Sequence, residues 1–230
     1  LMGTISEENN IKISRETIQS YLDRKFQGRE TIVIYRHLNN VTVIPYFNDD
    51  KTHRYGLIIE KGQQTEFSKK IFDFSTSAEK LNDFEKEIKN TVCVILFNPS
   101  YADEYIADKT TSILEDDILN KKKIGKSAIR IIIVNKFSEI CTANFNQAAP
   151  LETWKCKKNM VYIKRAIELS GEVLIAWGKT ESTKIDNYIY KCLLAKPNKK
   201  YFIANRHPSR GEKTYSKFLY KTINKLLQRV

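Results

Sequence analysis

The spacing of hydrophobic and polar residues divides the chain into two parts near residue 76. In the first part, apolar residues recur every four positions at Ile18, Leu22 and Phe26, which predicts a helix over 14–26 with Ser14 as its N-cap. Residues 31–36, 41–47 and 54–60 are rich in β-forming residues and are separated by Asn- and Asp-rich turns. These features predict an antiparallel meander or hairpin attached to one edge of a larger sheet.

Beyond residue 76, apolar strands alternate with amphipathic helices. We predict strands over 91–97, 128–135, 172–177 and 200–204, and helices over about 77–89, 111–121, 158–169, 181–195 and 213–229. The run Ile131-Ile132-Ile133-Val134 has no polar alternation, which is typical of a strand buried on both faces. Short apolar strands separated by helices predict an α/β fold, a three-layer α-β-α arrangement around a central four-stranded parallel sheet.

No low-complexity linker, Pro-rich hinge or internal repeat interrupts this pattern. We therefore expect a single domain over residues 1–230, with the N-terminal helix and antiparallel strands in 1–75 and the α/β core in 76–230. The apolar runs are far shorter than the roughly 18 residues of a membrane span. We expect no secretory signal, because no apolar region follows a basic start. The four cysteines form no Cys-x-x-Cys pair, so we interpret them as reduced thiols of a cytoplasmic protein without a metal site or cofactor.

Positive charge is concentrated at the C-terminal end. The chain has 39 Lys and Arg against 27 Asp and Glu, a formal net charge of +12. From Lys196 onward there are ten basic residues and one acid, so the last 35 residues carry +9 of this charge. In the predicted last helix, Lys213, Lys217, Lys221 and Lys225 recur every four residues opposite an apolar stripe. Such an excess is typical of a surface that binds a polyanion, nucleic acid above all, although a solubilising face has the same composition.

Each predicted core strand ends in a polar motif. The motifs are, in chain order, Asn98-Pro99-Ser100-Tyr101-Ala102-Asp103, then Asn135, then Ala176-Trp177-Gly178, and finally Arg206-His207-Pro208-Ser209-Arg210. Parallel α/β sheets bind ligands beyond the carboxyl ends of their strands. We therefore expect the four motifs to converge on one crevice.

In this order and at these positions, the motifs resemble those of the uracil-DNA glycosylase superfamily. That superfamily has an Asn-Pro or Asp-Pro motif after its first core strand, an Asn after the second, then a Trp-Gly strand and a His-Pro-Ser loop. The strings Asn-Pro-Ser-x-Ala-Asp, Ala-Trp-Gly and Arg-His-Pro, with the weaker Asp108-Lys109-Thr110, are also similar to an uncharacterised prokaryotic family. The resemblance covers about residues 91–216, and it implies a hydrolase that flips a base out of DNA and cleaves its N-glycosidic bond.

The resemblance implies catalytic roles for His207 and Asn98. Cleavage of an N-glycosidic bond leaves negative charge on the departing base, and a donor aimed at the base oxygen stabilises that charge. We assign this role to His207. Asn98 matches the superfamily position that holds or activates the attacking water, but an amide can only orient it. Asp103 is the alternative water-activating carboxylate, and its role as an acid at a helix N-terminus stays equally open.

Three residues are expected to contact the flipped base. By the resemblance, Asn135 hydrogen-bonds the Watson–Crick edge, for which an amide offers a donor and an acceptor in one plane. Ser100 stands where the uracil-specific branch has a bulky tyrosine, so we expect room for a substituent at C5 of a pyrimidine. Tyr101 is a candidate for stacking on the base. A substrate such as glucosylated hydroxymethylcytosine of phage DNA implies an antiviral defence enzyme.

DNA is the expected partner of a monomeric enzyme. The residues expected to bind its backbone are Arg206, Ser209, Arg210, Lys213 and Lys217. Arg210 follows the His-Pro-Ser motif, where the superfamily places its insertion loop, so Arg210 is the first candidate to fill the vacated base stack and Tyr215 the second. We expect the whole C-terminal excess of charge to act with the His207 loop. No lysine lies beside these loops as an obvious Schiff-base nucleophile, so we expect a monofunctional enzyme that leaves an abasic site.

Other functions fit parts of the same pattern. A repair glycosylase for uracil or mismatched thymine, or a non-catalytic nucleic-acid binding module of the same fold, has the same motifs. A metal-dependent nuclease would use Asp103, Asp108, Asp116 and Asp117, but the last two fall in a helix of mixed charge and we interpret them as solvated. A small-nucleoside hydrolase has no need of the basic C-terminal region.

Overall fold

The computed structural model describes residues 35–77, 79–140, 157–178, 184–196, 198–210 and 214–218. Within these residues, seven strands form one sheet: β1 (Val41–Phe47), β2 (Arg54–Lys61), β3 (Thr91–Leu96), β4 (Arg130–Asn135), β5 (Glu172–Ile175), β6 (Lys200–Ala204) and β7 (Tyr215–Phe218). Their order in the sheet is β1-β2-β4-β3-β5-β6-β7. The pairs β4–β3, β3–β5 and β5–β6 are parallel, and β1–β2, β2–β4 and β6–β7 are antiparallel.

The helices lie between the strands along the chain. They are α1 (Glu66–Ile71), α2 (Glu85–Lys89), α3 (Lys109–Glu115), α4 (Lys157–Glu168) and α5 (Lys184–Leu194), with a 3₁₀ helix (Glu79–Phe84) before α2 and a π-helical turn (Asp116–Asn120) after α3. The side chains of Thr65 and Asp108 accept backbone hydrogen bonds at the starts of α1 and α3. Both are therefore N-caps of the kind that short polar side chains provide. No helix among the described residues is long and apolar enough to cross a bilayer.

Alternate residues of β3 pack into two separate hydrophobic cores, because successive side chains of a strand point to opposite faces. Cys93 packs into one core together with apolar residues of α4 and α5. Val92 packs into the other core with apolar residues of α3 and the π-helical turn. Helices therefore cover both faces of the sheet, as expected for strands that are apolar throughout.

The broad α/β prediction is confirmed. The sheet is larger and more mixed than the four-stranded parallel sheet we predicted, because antiparallel strands extend it on both sides. One of these additions is the β1–β2 hairpin, which lies where antiparallel strands were predicted and joins the sheet through β2 and β4. The predicted helix over 14–26 and most of the predicted strand over 31–36 lie outside the described residues.

The prediction of a helix from residue 213 is wrong for residues 215–218. This segment is strand β7, and Tyr215 pairs with Ala204 of β6. Without β7, strand β6 would leave a row of backbone N–H and C=O groups unpaired, and an extended segment satisfies them where a helix would not. Periodicity along the chain carries no information about that open edge. Residues 211–213 and 219–230, and with them Lys213, Lys221 and Lys225, lie outside the described part of the chain.

Candidate functional site

The carboxyl ends of the four mutually parallel strands lie along one side of the sheet, which we call the carboxyl edge. Leu96 of β3 is in register with Asn135 of β4, and Ile175 of β5 is in register with both Ile95 of β3 and Ile203 of β6. Strand β4 lies on one side of β3, while β5 and β6 lie on the other. The direction in which successive strands are added across the sheet therefore reverses between β3 and β5. At such a switch point the loops diverge and leave a crevice for a ligand. The four strand-end motifs therefore share one edge of the sheet.

Asn135 is the most unusual polar residue at this edge. Its side chain is fully buried, and neither Nδ2 nor Oδ1 has a hydrogen-bond partner within the described residues. Its backbone oxygen is held at 3.2 Å by Nδ2 of Asn159 in the first turn of α4. Burying a polar group without a partner costs about 1–3 kcal/mol, and such groups are rare in folded proteins. The backbone of Asn135 is thus tied to α4, while the donor and the acceptor of its side chain have no partner in the described part of the chain.

The loop that follows β3 contains three more of the predicted site residues. Ser100 Oγ is buried and also has no hydrogen-bond partner in the described part of the chain. Asn98 is half-buried, and its Nδ2 donates to the Pro99 backbone oxygen at 3.2 Å. Tyr101 is half-buried. The loop therefore brings an unbonded hydroxyl to the same edge as the unbonded Asn135 amide.

Asp103 helps to hold this loop in shape. It is buried, and its Oδ1 accepts hydrogen bonds from the backbone N–H groups of Tyr105 at 3.0 Å and Ile106 at 3.1 Å. Aspartate commonly closes a turn in this way. One carboxylate oxygen is therefore engaged in the fold of the loop, and the assignment of the water step to Asn98 or to Asp103 stays a prediction.

His207 lies in the hairpin loop between β6 and β7. Asn205 and Thr214 close the base of this loop: the backbone N–H of Asn205 donates to the Thr214 oxygen at 3.1 Å, and Asn205 Oδ1 accepts from the Thr214 N–H at 2.9 Å. A Cβ atom on Gly178 would lie 3.7 Å from the His207 Cβ, and Gly178 has a φ of +82°, which favours glycine. The Trp-Gly and His-Pro-Ser motifs are therefore neighbours.

The hydrogen bonds of His207 identify its tautomer. The backbone N–H of Ser209 donates to Nδ1 at 3.4 Å, and Ser209 Oγ lies 2.9 Å from the same atom. Because a backbone N–H can only donate, Nδ1 is the acceptor, and the proton of the neutral ring is on Nε2. Burial, and then the charge of Arg210, lower the pKa of His207 below its ordinary 6.5, while Asp108 opposes them. At neutral pH the ring is uncharged and presents Nε2–H as a donor.

The predicted phosphate-binding residues differ in their positions. Arg206 and Arg210 are exposed in the His207 loop, and Ser209 is half-buried against His207. Lys217 is exposed on β7 opposite Phe202, in the middle of β6. Lys213 lies outside the described residues. The arginines are thus at the carboxyl edge, whereas Lys217 lies about midway between the two edges of the sheet.

The basic C-terminal region is not one surface. Lys199 Nζ donates to the Glu168 backbone oxygen at 3.0 Å and also to the Ser170 oxygen, and burial lowers its pKa to about 8. Lys200 forms an ion pair with Glu172 at 3.1 Å. Both lysines lie where β6 begins, at the end of the sheet opposite the His207 loop. The prediction that the whole excess of charge acts with His207 is wrong for these two lysines. They lie where β6 begins and the His207 loop follows its end, so the length of the strand separates them although they are close in sequence.

Arg54 is a site residue that sequence analysis missed. It is buried at the start of β2, where its Nη1 donates to the Ala102 backbone oxygen at 2.5 Å. Burial lowers its pKa, while the charges of Asp108 and Asp103 oppose that shift. A guanidinium thus holds the loop that contains Asn98 and Ser100. The sequence did contain one signal of this role, a charged residue at the first position of a mainly apolar strand.

A second missed feature is the segment 35–38, which is fastened to the same loop and to α3. His37 Nδ1 lies 2.5 Å from Glu115 Oε1, and His37 Nε2 lies 2.7 Å from the Asp103 backbone oxygen. The backbone N–H of Leu38 donates to Glu115 Oε2 at 2.8 Å. Burial alone would lower the pKa of His37, but the hydrogen bond and charge of Glu115 and the Asp103 carbonyl outweigh burial and raise it. His37 therefore links Glu115 to the Asp103 backbone oxygen, and its raised pKa favours the protonated ring.

We expect His37 to make stability depend on pH. Because its pKa is raised above 6.5 in the folded state, its contribution is fully present below pH 6.5 and is lost as pH rises through the folded pKa. The difference in free energy of unfolding between the wild type and His37→Gln should therefore shrink as pH increases from about 6 to 9. Urea unfolding at several pH values measures this difference.

Glu115→Gln is the matched control, since it removes the charge that raises the His37 pKa and keeps the hydrogen-bonding shape. In a Glu115→Gln background, the effect of His37→Gln should vary much less with pH. A difference in free energy of unfolding that grows with pH would show that the protonated form of His37 does not stabilise the fold.

Lys136 follows Asn135 but lies on the opposite face of the sheet. It is fully buried, and its Nζ is 2.5 Å from Asp186 Oδ1 and 5.0 Å from the centre of the Trp177 ring. Burial lowers its pKa, and Asp186 opposes this. The ion pair ties the end of β4 to the first turn of α5. This lysine was also missed, because nothing in the local pattern marks a buried ion pair.

Asp117 is buried, so the interpretation of it as solvated is wrong. Its Oδ2 accepts a hydrogen bond from Tyr215 Oη at 2.6 Å, and its Oδ1 lies 2.7 Å from Lys123 Nζ. The partner on β7 is nearly a hundred residues away in sequence, so the helical charge pattern gave no hint of this contact. Tyr215, predicted as the second candidate to fill the base stack, thus fastens β7 to the π-helical turn.

The described residues include no group of three or more His, Cys, Asp or Glu side chains that could hold a metal ion. Cys93 and Cys192 are free thiols, and burial raises the pKa of both. Thiols with raised pKa values are poor nucleophiles at neutral pH. Cys141 and Cys156 lie outside the described residues.

Fold and site together define an α/β domain whose four strand-end motifs share the carboxyl edge of its sheet. Residues 80–211 match the family model described as "Protein of unknown function (DUF1643)", and the chain belongs to this family. The match includes all four strand-end motifs but excludes His37 and Arg54, which hold the loop after β3. No curated protein and no solved structure matches the chain.

Proposed function

We propose that the protein is a monofunctional DNA glycosylase, which flips a base out of DNA and hydrolyses its N-glycosidic bond. The supporting observation is the Asn135 amide, fully buried at the carboxyl edge with its donor and its acceptor both unbonded within the described residues. A Watson–Crick edge offers a matching acceptor and donor, and enzymes that act on a base recognise it there after flipping. The unpaired Asn135 amide therefore lowers the stability of the free protein, and a bound base would supply the missing hydrogen bonds.

The proposed chemistry uses His207 as a neutral donor. The C1′–N bond breaks with its electron pair on the base, water oxygen bonds to C1′, and the proton released by that water neutralises the base or passes to solvent. Negative charge develops on the base oxygen, where the Nε2–H of His207 stabilises it without a proton transfer. The lowered pKa of His207 and the acceptor role of its Nδ1 both favour this neutral form. Asn98 or Asp103 holds the water.

The proposed substrate is a C5-modified pyrimidine. Ser100 is small, and its buried Oγ has no hydrogen-bond partner in the described part of the chain. A polar C5 substituent such as a hydroxymethyl group or its glucosylated form supplies one. Excision of such a base from phage DNA is an antiviral defence activity that leaves an abasic site.

The test is an excision assay with defined DNAs. Single- and double-stranded oligonucleotides bearing glucosylated hydroxymethylcytosine, uracil or a thymine mismatch are incubated with the protein and then treated with alkali, which cleaves the chain at abasic sites. We expect strand breaks at the glucosylated hydroxymethylcytosine, and little cleavage before alkali because the enzyme has no lyase step.

The outcomes separate the two parts of the proposal. Efficient excision of uracil without excision of the modified cytosine would overturn the substrate and leave the glycosylase activity standing. No alkali-labile site with any of the DNAs would overturn the glycosylase itself. The single substitution Ser100→Tyr should reduce excision of the larger base more than that of uracil, relative to the wild type.

A further inference from the structure

A β-bulge near the start of β2 decides which face of the sheet Arg54 occupies. Gly56 and Arg54 pair with consecutive residues of β1, so Tyr55 is an extra residue in β2. Strict alternation from Leu57, which packs in the core under α3, would point Arg54 to the opposite face. Instead Tyr55 packs into the opposite core, and Arg54 Nη1 donates to the backbone oxygen of Ala102, which lies in the core under α3. Bulges commonly redirect a side chain in this way beside a functional site.

The Asn135 side chain lies on the same face as Arg54. In β4, Ile131 and Ile133 pack in the core under α3, so alternation places Asn135 on that face as well. The backbone N–H of Arg54 donates to the Ser138 oxygen at 2.8 Å, which puts Arg54 beside the carboxyl end of β4. Arg54 and Asn135 therefore lie on adjacent strands, on one face and at one edge of the sheet.

Both side chains have buried atoms without a hydrogen-bond partner among the described residues. Arg54 is 1% exposed and its Nε is unbonded, and the fully buried Asn135 amide is unbonded at both Nδ2 and Oδ1. The Ser100 Oγ, in the loop that Arg54 holds, is a third such group. Buried polar groups are rarely left unpaired, so this combination indicates a ligand with several hydrogen-bonding groups.

Two buried carboxylates beside Arg54 indicate the charge of that ligand. Asp103 follows Ala102 in the loop that Arg54 holds, and Asp108 caps α3. Burial lowers the pKa of Arg54, and the charges of Asp108 and Asp103 oppose this shift. An anionic group would meet two carboxylates and one guanidinium, and an ammonium group could not accept a hydrogen bond from Nε. A neutral group with hydroxyls fits, because each hydroxyl can accept from the guanidinium and donate to a carboxylate.

Arg54 and His207 lie on opposite sides of Asn135 across the sheet. Strand β2 carries Arg54 and is next to β4, which carries Asn135, whereas His207 follows β6 and lies beside Gly178 after β5. The oxygen of cytosine is at C2, and C5 lies across the ring from C2. With His207 donating to that oxygen, a substituent at C5 points away from His207, toward the side where Arg54 lies.

We propose that Arg54 is a specificity-determining residue, which together with Asp108 binds the hydroxyl groups of a neutral sugar attached at C5 of the flipped pyrimidine. Arg54 Nε donates to a hydroxyl oxygen, and the Asp108 carboxylate accepts from a hydroxyl. The identity of the base rests on the proposed function. Arg54 lies outside residues 80–211, so this sugar subsite is not part of the segment that defines the family.

The test compares excision of two bases that differ only in the sugar. Duplexes carrying glucosylated hydroxymethylcytosine or hydroxymethylcytosine at one position are assayed under single-turnover conditions, and the ratio of their rate constants at subsaturating protein is measured. Arg54→Gln should lower this ratio by about 10- to 100-fold, as expected for the loss of a hydrogen bond to a charged group. Asp108→Asn should also lower it, while asparagine keeps the N-cap of α3. It tests the same subsite without removing a buried arginine.

Arg165→Gln is the matched control. Arg165 is also a buried arginine that donates to backbone oxygens, those of Ile71 at 2.9 Å and Thr76 at 2.7 Å, but it belongs to α4 on the opposite face of the sheet. Its replacement should lower stability and leave the ratio of the two rate constants unchanged. If Arg54 only holds its loop, Arg54→Gln will likewise slow both excisions equally, and that result would overturn the sugar subsite.

The remaining outcomes separate the subsite from the glycosylase. Equal excision of the two bases by the wild type, or an unchanged ratio in Arg54→Gln or Asp108→Asn, would overturn the subsite and leave the glycosylase standing. Absence of any excision by the wild type would overturn the glycosylase, and binding of the same two duplexes would then test the subsite. Tighter binding of the glucosylated duplex by the wild type, lost in Arg54→Gln, would retain the subsite, whereas equal binding of both duplexes would overturn it.

Discussion

Replacing His207 with alanine is expected to lower the single-turnover rate constant of base excision by about 10²- to 10³-fold, as when one donor to a developing oxyanion is removed. The donor is Nε2–H, because Nδ1 accepts from the backbone N–H of Ser209. DNA binding should change little, since a neutral imidazole adds no charge to the phosphate-binding surface. Because the pKa of His207 lies below 6.5, its protonation should not affect the rate at pH 7 and above.

His53→Ala is the matched control for this substitution. His53 is also half-buried, and its Nδ1 lies 3.0 Å from a serine hydroxyl, that of Ser138, so both variants remove a His–Ser contact. The control should keep a rate within a few-fold of the wild type. If His207→Ala excises its base at a near-normal rate, or if both variants lose activity equally, His207 is not the donor to the leaving base.

Replacing Asn135 with leucine is expected to stabilise the protein while removing its recognition of a base. Leucine has nearly the shape of asparagine and no polar atom to bury, so the free energy of unfolding should rise by about 1 kcal/mol. For a chain of this length that is an increase in Tm of about 2–4 °C. The lost pair of hydrogen bonds to the base should weaken binding of the flipped state by about 1–3 kcal/mol, the discrimination expected of a bidentate contact.

Asn159→Leu provides the contrast, because the side-chain amide of Asn159 donates to two backbone oxygens in the folded protein. Its free energy of unfolding should fall by about 1–2 kcal/mol. Chemical unfolding of both variants, together with binding to DNA containing the substrate base, measures these effects. A marked loss of stability in Asn135→Leu would show that the Asn135 amide serves the fold and would remove the main support for the proposed function.

Much of the core could be predicted from the chain because its strands are buried on both faces. The segments 91–97 and 128–135 were located within a few residues of β3 and β4, since an unbroken apolar run needs cover on both sides wherever it lies. The strand-end motifs were likewise located, because a turn or a polar residue after an apolar run is a local feature. Their common edge is consistent with the prediction of convergence.

The contacts that hold the site are long-range, and for that reason they were missed. His37 bonds to Asp103 and Glu115, and Arg54 bonds to Ala102, across separations of 48 to 78 residues. Strand β7 was predicted as helix, because its lysine and aromatic spacing fits a helix as well as a strand. The unpaired edge of β6, which favours the strand, exists only once the sheet has formed.

The distribution of charge likewise separates what the sequence shows from what the tertiary structure decides. Composition alone established a net charge of +12 and a basic C-terminal region. Only the tertiary structure separates Lys199 and Lys200, which bond at the opposite edge, from Arg206 and Arg210 beside His207, and only it brings the first turns of α3, α4 and α5 to the carboxyl edge. Periodicity and burial are properties of a local segment, so the sequence carries them directly. The surroundings of a charge or an amide depend on which distant segments pack beside it, and these are decided when the sheet assembles.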